Sequence, residues 1–294
     1  MASINFLADF QEVISQELST LGYPPEPEEL FDSVLMRYLN FQRRIPPVII
    51  WTARQSKELS AKSFSKSVNL GLKRFIEKAE SGQSLKPHLS TQSDNPDYRD
   101  LMFYDWGVFH FHLGTNPHSK RTGFVERTDD LLFAIADLSK AEMYLIDIHP
   151  HRGGFTNQDL LRIIENNWPE ILEPYTLQGV IGLTYNASDN DINSLRKSGL
   201  NTILQTPNGR FLTSMGGGIT ATGTSIRNRR EADRVIISIR QLETWFIQQK
   251  AFVEDYFKSK HDKDWADLTF KVKSFELPLK VEEIKTGEVL EIPT

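Results

Sequence analysis

Four of the seven histidines form two H-x-H pairs in the middle of the chain, a spacing that could support proton transfer. The pairs are His110/His112 and His149/His151. Side chains alternate along a β-strand, so residues i and i+2 lie on the same face of a sheet. If the histidine faces of two strands meet, one cleft would hold up to four imidazoles. The functional prediction depends on this geometry.

Three interpretations are compatible with such a cluster: acid–base catalysis, metal binding and a structural role. A neutral imidazole can take a proton from a ribose 2′-hydroxyl while a protonated one donates a proton to the leaving 5′-oxygen. Alternatively, the imidazoles could bind zinc or another transition metal, with Asp105 or Asp147 adding a carboxylate. Asp147 is in phase with His149 and could instead orient it. In the third interpretation, the histidines are structural and satisfied within a half-buried sheet.

Basic and aromatic residues near these strands would complete an RNA-cleaving site. A guanidinium can stabilise the charge that develops on the transferring phosphate, and aromatic rings can stack a base. Arg127 and Arg152 are predicted to hold the phosphate. The other predicted substrate-binding residues are Lys120, Arg121, Tyr104 and Trp106, with Phe109 as a further stacking candidate.

Short apolar runs bounded by turn residues predict three strands that would position the histidines. They cover Asp105–Gly114, Leu131–Asp137 and Tyr144–Arg152. A helix over Phe155–Trp168, with Thr156 as its N-cap, would follow the third strand. Together these elements predict a small antiparallel sheet with a packed helix.

The predicted fold class is α+β, in three consecutive regions. Residues 1–100 form a helical N-terminal region, residues 101–176 the sheet core, and residues 177–294 a C-terminal α+β region. Helical periodicity covers 4–21, 28–41, 57–80, 188–198 and the long stretch 231–256. Strand patterns outside the core cover 48–52, 180–183, 203–205, 211–213, 268–277 and 281–292, the last with a turn at Thr286-Gly287. The polar loop at 85–98 places His88 on the surface.

Composition narrows the class of protein. The 294 residues carry a net charge of -5, which gives no global drive toward nucleic acid. No apolar run approaches the roughly 18 residues of a membrane span. The first residues lack the basic and small-residue features of a signal peptide. With no cysteine in the chain, we expect a cytoplasmic protein without a membrane partner.

Several common catalytic and nucleotide-binding motifs are missing from the sequence. It contains no H-E-x-x-H, G-x-S-x-G or G-x-G-x-x-G pattern. Gly216–Gly218 would permit close approach of a phosphate or of another backbone segment. Because no lysine follows at the Walker spacing, a bulge or mobile connection is the favoured interpretation.

Two segments resemble the core of RelE-type ribonuclease toxins. They are E-R-T-D-D-L-L-F-A-I-A-D (126–137) and Y-L-I-D-I-H-P-H-R (144–152). That family often has an arginine entering one strand and a His-Arg pair leaving the next, places matched by Arg127, His151 and Arg152. The resemblance covers about 50 residues and implies metal-independent RNA cleavage. The chain departs from the family in its greater length, its acidic charge and its extra H-F-H pair.

The chain also resembles a group of bacterial proteins of about this length that share a D-W-G-x-x-H-x-H-L-G motif. The similarity extends to R-T-D-D-L-L-F-A and E-N-N-W-P-E. It is more specific than the first resemblance and implies no mechanism.

The leading functional prediction is therefore a metal-independent endoribonuclease, acting as a toxin or phage-defence effector. His110, His112, His149 and His151 would supply acid–base catalysis, RNA would be the substrate, and an inhibitory or effector protein could be a partner. One alternative is a metal-dependent hydrolase or nuclease that uses the same histidines. The other is a non-enzymatic binding or assembly protein that docks a partner on the glycine segment and the long helix.

Overall fold

The computed structural model describes residues 3–274 and 279–292 of the chain. These residues combine helices with small mixed and antiparallel sheets, which confirms the α+β class. Within the described ranges, every helix is too short or too polar to cross a lipid bilayer.

The strands are short, and most helices span only a few turns. In chain order the strands are β1 (Ser3–Ile4), β2 (Thr52–Gln55), β3 (Phe109–His112), β4 (Asp130–Asp137), β5 (Glu142–Pro150), β6 (Leu204–Gln205), β7 (Phe211–Leu212), β8 (Thr269–Ser274), β9 (Leu279–Glu283) and β10 (Val289–Ile292). The helices are α1 (Phe6–Thr20), α2 (Phe31–Arg43), α3 (Lys57–Ala61), α4 (Lys66–Glu80), α5 (Leu101–Trp106), α6 (His151–Gly154, one irregular turn), α7 (Asp159–Asn167), α8 (Pro169–Leu172), α9 (Asp189–Lys197), α10 (Ile226–Gln248) and α11 (Lys250–His261). Short 3₁₀ turns cover Lys86–His88, Thr91–Asp94, Glu173–Tyr175 and Trp265–Asp267.

The chain divides into two compact units. One contains the residues up to 39 together with those from 230 onward, and the other contains residues 40–229. Segments far apart in sequence therefore share the first unit. The predicted sheet core and its histidines lie wholly within the second.

The sheet of the second unit has the strand order β2-β5-β4-β3. The pairs β3/β4 and β4/β5 are antiparallel, as predicted, but β2 runs parallel to β5. The parallel edge strand β2 comes from outside the predicted core of residues 101–176. A parallel pair needs a long crossover, and the chain between β2 and β5 provides one.

Each face of this sheet is covered by a separate apolar core. On one face, Leu131 and Phe133 of β4 pack with apolar residues of α7. On the other, Leu132 and Ala134 pack with residues of α4. Successive residues of β4 thus enter opposite cores, as the alternation of side chains along a strand requires. Burial on both faces fixes the register of the strand.

The first unit has its own sheet, with the order β1-β8-β9-β10. Its core joins Phe6 of α1 and Phe246 of α10 to Phe257 and Phe270. The predicted C-terminal hairpin is confirmed, because Gly287 takes a left-handed backbone (φ 71°) between β9 and β10. Residues 275–277 of the predicted strand lie outside the described residues.

Helix positions were predicted better than helix ends. The predicted helix at 57–80 is two helices, and Ser65 begins the second by accepting a hydrogen bond from the Val68 amide at 3.3 Å. The long helix is likewise divided at Gln249. The predicted N-cap at Thr156 is wrong, because α7 starts at Asp159 after Gln158. The helix at 188–198 and the hairpin around the turn at 206–209 are confirmed.

The first histidine strand is shorter than predicted. Residues Leu101–Trp106 form α5, because the Asp100 carboxylate caps the helix by accepting the Phe103 amide at 3.0 Å. Gly107 ends it in the left-handed region (φ 68°), and strand β3 begins only at Phe109. The strand predicted at 48–52 begins only at Thr52, and 180–183 forms no strand.

Candidate active site

A cavity of about 380 Å³ opens beside β3, the start of α5 and the end of α9. This volume is in the usual range for a small-molecule site. Three arginines, three histidines and one carboxylate line it. The ionisable members are Tyr98, Arg99, Asp100, His110, His112, Arg127, His151 and Arg196. A positive lining in a chain of net charge -5 favours an anionic ligand.

Strand β3 places His110 and His112 on the same face of the sheet, as predicted. His110 pairs with Phe133 of β4, and His112 pairs with Leu131. Directly paired residues point to the same face of an antiparallel ladder. Both imidazoles therefore point to the face of the sheet that packs against α7. His110 is only 7% exposed, and His112 is only 2% exposed.

His110 lines the cavity next to the carboxylate of Asp100. Its Nδ1 is 3.7 Å from Asp100 Oδ2, longer than a hydrogen bond, and has no hydrogen-bond partner among the described residues. Burial lowers the pKa of His110, Asp100 opposes this shift, and His151 and Arg127 add to it. The ring is therefore neutral near pH 7. The adjacent carboxylate favours the tautomer with its proton on Nδ1, which leaves Nε2 as the basic nitrogen.

His112 is fixed in the opposite tautomer. Its Nδ1 accepts the Thr128 amide proton at 3.1 Å, so the ring proton is on Nε2. That Nε2 is buried and has no partner in the part of the chain that the structure describes. Burial, with a smaller contribution from the charges of Arg127 and His110, lowers the pKa of His112 to about 4. His112 is thus a neutral hydrogen-bond donor rather than a proton acceptor.

His151 stands at the mouth of the same cavity. Strand β5 ends at Pro150, and the exposed His151 begins the irregular turn that follows. Its backbone amide donates to the Asp129 carbonyl at 2.6 Å. The His110 and His151 rings each meet Phe155 edge-on, with centroid distances of 4.9 and 5.1 Å. The two imidazoles therefore contact the same aromatic ring, and their centroids are at most about 10 Å apart.

Arg127 supplies charge close to these rings. It is exposed, lines the cavity, and lowers the pKa of both His110 and His112 through its charge. Arg99 lines the cavity as well, next to Asp100. The predicted role of Arg127 beside the histidines is thus compatible with its position.

His149 belongs to a different cluster from the other three histidines. Its Nε2 is 2.9 Å from Asp147 Oδ2, an oxygen that also accepts from Lys62 Nζ at 2.5 Å. Burial opposes ionisation of Asp147, but bonds from His149, Lys62 and the Ile148 amide outweigh it and lower its pKa. The structure therefore places His149 with its own carboxylate and does not bring it to the cavity.

The remaining predicted substrate-binding residues do not line the cavity. Arg152, Lys120 and Arg121 are exposed elsewhere on the unit. Tyr104 is buried, and its hydroxyl donates to Asn40 Oδ1 at 2.6 Å. Trp106 is buried beneath a guanidinium and cannot stack a base in this arrangement.

Two residues of the cavity were missed by sequence reasoning. Arg196 lies in the last turn of α9, where a basic residue is usually a solvated helix-end cation. Here it is only 4% exposed and pairs with Asp105. Asp100 faces His110. An aspartate directly before a helix is typical of an N-cap, so the sequence pattern does not mark Asp100 as a cavity residue. Asp105, predicted as a candidate metal ligand, is thus engaged by a guanidinium.

The prediction that His88 is a surface residue is wrong, since it is 1% exposed. Its Nδ1 donates to the His112 carbonyl at 2.8 Å, and Lys78 Nζ lies 3.3 Å from its Nε2. Burial lowers the pKa of His88 to about 4. A neutral ring therefore ties this loop to the end of β3.

The glycine segment packs against backbone. The Gly216 amide donates to the Asp105 carbonyl at 2.7 Å, and the Gly218 amide donates to the Tyr104 carbonyl at 2.9 Å. A Cβ on Gly216 would lie 2.3 Å from the Phe103 carbonyl oxygen. These glycines thus permit close approach of the backbone of residues 103–105. Across the described residues, no three His, Asp or Glu side chains are arranged to hold a metal ion.

No protein-family model, curated protein or solved structure matches the chain. The two family resemblances therefore remain predictions from the sequence.

Proposed function

We propose that the protein is a metal-independent endoribonuclease whose acid–base pair is His110 and His151. The observation that carries the proposal is that both imidazoles contact Phe155 and line one cavity that Arg127 also lines. Cleavage by an internal 2′-hydroxyl needs two proton-transfer groups and a cation at a phosphate, and one site supplies all three.

His110 is suited to be the base. It is buried and neutral, and the carboxylate of Asp100 favours the tautomer that leaves Nε2 free to accept a proton. In the proposed reaction, Nε2 takes the proton of the 2′-hydroxyl, which then attacks the phosphorus. The leaving 5′-oxygen is protonated by His151, whose exposed ring can exchange protons with solvent between turnovers.

His112 and Arg127 would stabilise the charge of the transition state. His112 donates from Nε2 and stays neutral, because its Nδ1 is occupied by the Thr128 amide. Its role thus differs from the acid–base role predicted from the sequence. Arg127 adds a full positive charge at the mouth of the cavity. Phe155 offers a ring against which a base could stack.

The test is cleavage of a labelled single-stranded RNA in EDTA by the wild type, His110→Ala and His151→Ala. We expect each variant to lose at least about a hundredfold in rate, the usual contribution of one acid–base group. His118→Ala is the matched control, because that half-buried histidine lies outside the cavity and its replacement should leave cleavage unchanged. A fully 2′-O-methylated RNA should resist cleavage. Equal rates for the wild type and both cavity variants would refute the proposal.

The same assay separates the metal-dependent alternative, in which EDTA would abolish cleavage and zinc or another transition metal would restore it. The proposed role as a toxin or defence effector rests on the sequence resemblance. Growth arrest on expression of the wild type, but not of His110→Ala, would support that role.

A further inference from the structure

Arg196 is held by three separate contacts that leave one nitrogen unused. Its Nε donates to Asp105 Oδ2 at 2.8 Å, and its Nη1 donates to the Phe155 carbonyl at 2.5 Å. The guanidinium lies over the Trp106 ring, 4.2 Å from the centroid. Nη2 is buried and has no hydrogen-bond partner among the described residues. The side chain is therefore fixed in position while one donor group remains free.

Asp105, the partner of Arg196, is itself held by a second hydrogen bond. Ser214 donates its hydroxyl to Asp105 Oδ1 at 2.6 Å, so both carboxylate oxygens are engaged. A guanidinium anchored in this way has already lost the rotamer freedom that a flexible surface arginine loses on binding. Its remaining donor is therefore preorganised.

His112, which lines the same cavity, repeats this arrangement. Its Nδ1 is engaged by the Thr128 amide, and its Nε2 is buried and unpartnered in the described ranges. A buried donor without an acceptor costs free energy, so native structures rarely retain one without a use. Two such donors line the same cavity, which three arginines make positive.

We propose that Arg196 Nη2 and His112 Nε2 form a subsite for a phosphate group, as the free ion or as a phosphate ester. A tetrahedral anion can accept from both donors and still face the exposed Arg127 and Arg99. The neutral His112 donates a hydrogen bond without needing protonation, so the subsite works at neutral pH. In the proposed ribonuclease it would bind the scissile phosphate, but phosphate binding does not itself require RNA cleavage.

The experiment is calorimetric titration of the full chain with inorganic phosphate, and separately with a nucleoside 3′-monophosphate, in a buffer free of other multivalent anions. His112→Asn is the first variant: the amide oxygen can still accept from Thr128, but no donor reaches the Nε2 position. Arg196→Lys is the second, since it keeps a cation beside Asp105 and removes the fixed second nitrogen. Arg152→Ala is the matched control, an exposed arginine outside the cavity.

We expect both cavity variants to weaken phosphate binding about tenfold or more, the usual effect of losing one charge-assisted hydrogen bond. Arg152→Ala should bind like the wild type, and acetate should compete poorly. No phosphate binding by the wild type, or equal affinities in all four proteins, would overturn the subsite. Phosphate binding with the expected variant losses but without RNA cleavage would uphold the subsite and reject the ribonuclease.

Discussion

The substitution Asp105→Ala should destabilise the unit of residues 40–229 by about 3–5 kcal/mol, because it leaves a buried guanidinium without its counter-ion. The side chains of Arg196 and Asp105 are 4% and 7% exposed, and their charged atoms are 2.8 Å apart. Solvent therefore screens this pair very little. Without Asp105, the partners left to Arg196 among the described residues are the Phe155 carbonyl and the Trp106 ring.

Urea unfolding followed by far-ultraviolet circular dichroism would measure this loss. With a urea dependence of roughly 1–3 kcal/mol per molar, the unfolding midpoint should fall by about 1–5 M. Lys73→Ala is the control within the same unit. Its side chain is 74% exposed and its ion pair with Glu77 spans 3.8 Å, so we expect a change within about 0.5 kcal/mol.

A double variant makes the prediction sharper. Arg196→Met alone should also destabilise, because it leaves the Asp105 carboxylate buried, with Ser214 as its remaining side-chain donor. Combined with Asp105→Leu, it removes both charges, and the loss should be well below the sum of the losses measured for Arg196→Met and Asp105→Leu separately. Additive effects, or a cost below about 1 kcal/mol for Asp105→Ala, would refute the assignment of this pair as a buried, coupled support of the cavity.

Two further predictions concern stability. Acidification from about pH 6.5 to 4 should lower the free energy of unfolding, because His88 and His112 have folded pKa values of about 4 and the unfolded chain binds these protons first. Urea titrations across this range should show a smaller slope for His112→Asn, and an unchanged slope would contradict the neutral-ring assignment. Gly216→Ala should cost several kcal/mol, since its Cβ would meet the Phe103 carbonyl oxygen at 2.3 Å. Gly182→Ala, with nothing within 4 Å, should stay within about 0.5 kcal/mol in the same thermal melts.

The sequence predicted the first histidine pair well because one short-range rule determines it. Alternation along β3 suffices to place His110 and His112 on one face, whatever the neighbouring strands do. The second pair does not obey that rule. Pro150 ends the strand between its two members, so His151 leaves the sheet while His149 stays in it.

The pairing of His149 with Asp147 was also partly predictable from the sequence. Asp147 lies two residues earlier on the same strand, and the prediction that it could orient His149 agrees with their 2.9 Å separation. What the sequence could not provide was the distance from this pair to the cavity. Phe133 lies on the neighbouring strand β4. Its ring centroid is 6.2 Å from that of His149 and 6.0 Å from that of Phe155, so apolar rings lie between the two clusters.

Arg196 illustrates why long-range supports escape sequence reasoning. Its partner Asp105 is 91 positions away, and neither residue has a local pattern that marks the other. The region from 177 onward was predicted as a separate C-terminal part. Part of it, residues 177–229, belongs to the same compact unit as the sheet and contributes Arg196 and Asn193 to the cavity.

The three cavity histidines have different proposed roles because their surroundings differ. The amide of Thr128 fixes the proton of His112 on Nε2, whereas the carboxylate of Asp100 favours the proton of His110 on Nδ1. His151 is exposed and can exchange protons with water. In the proposed reaction, one neutral donor, one buried base and one solvent-accessible acid would therefore come from the same residue type. In-line transfer at a phosphate needs this division of roles, because identical imidazoles would compete for the same proton.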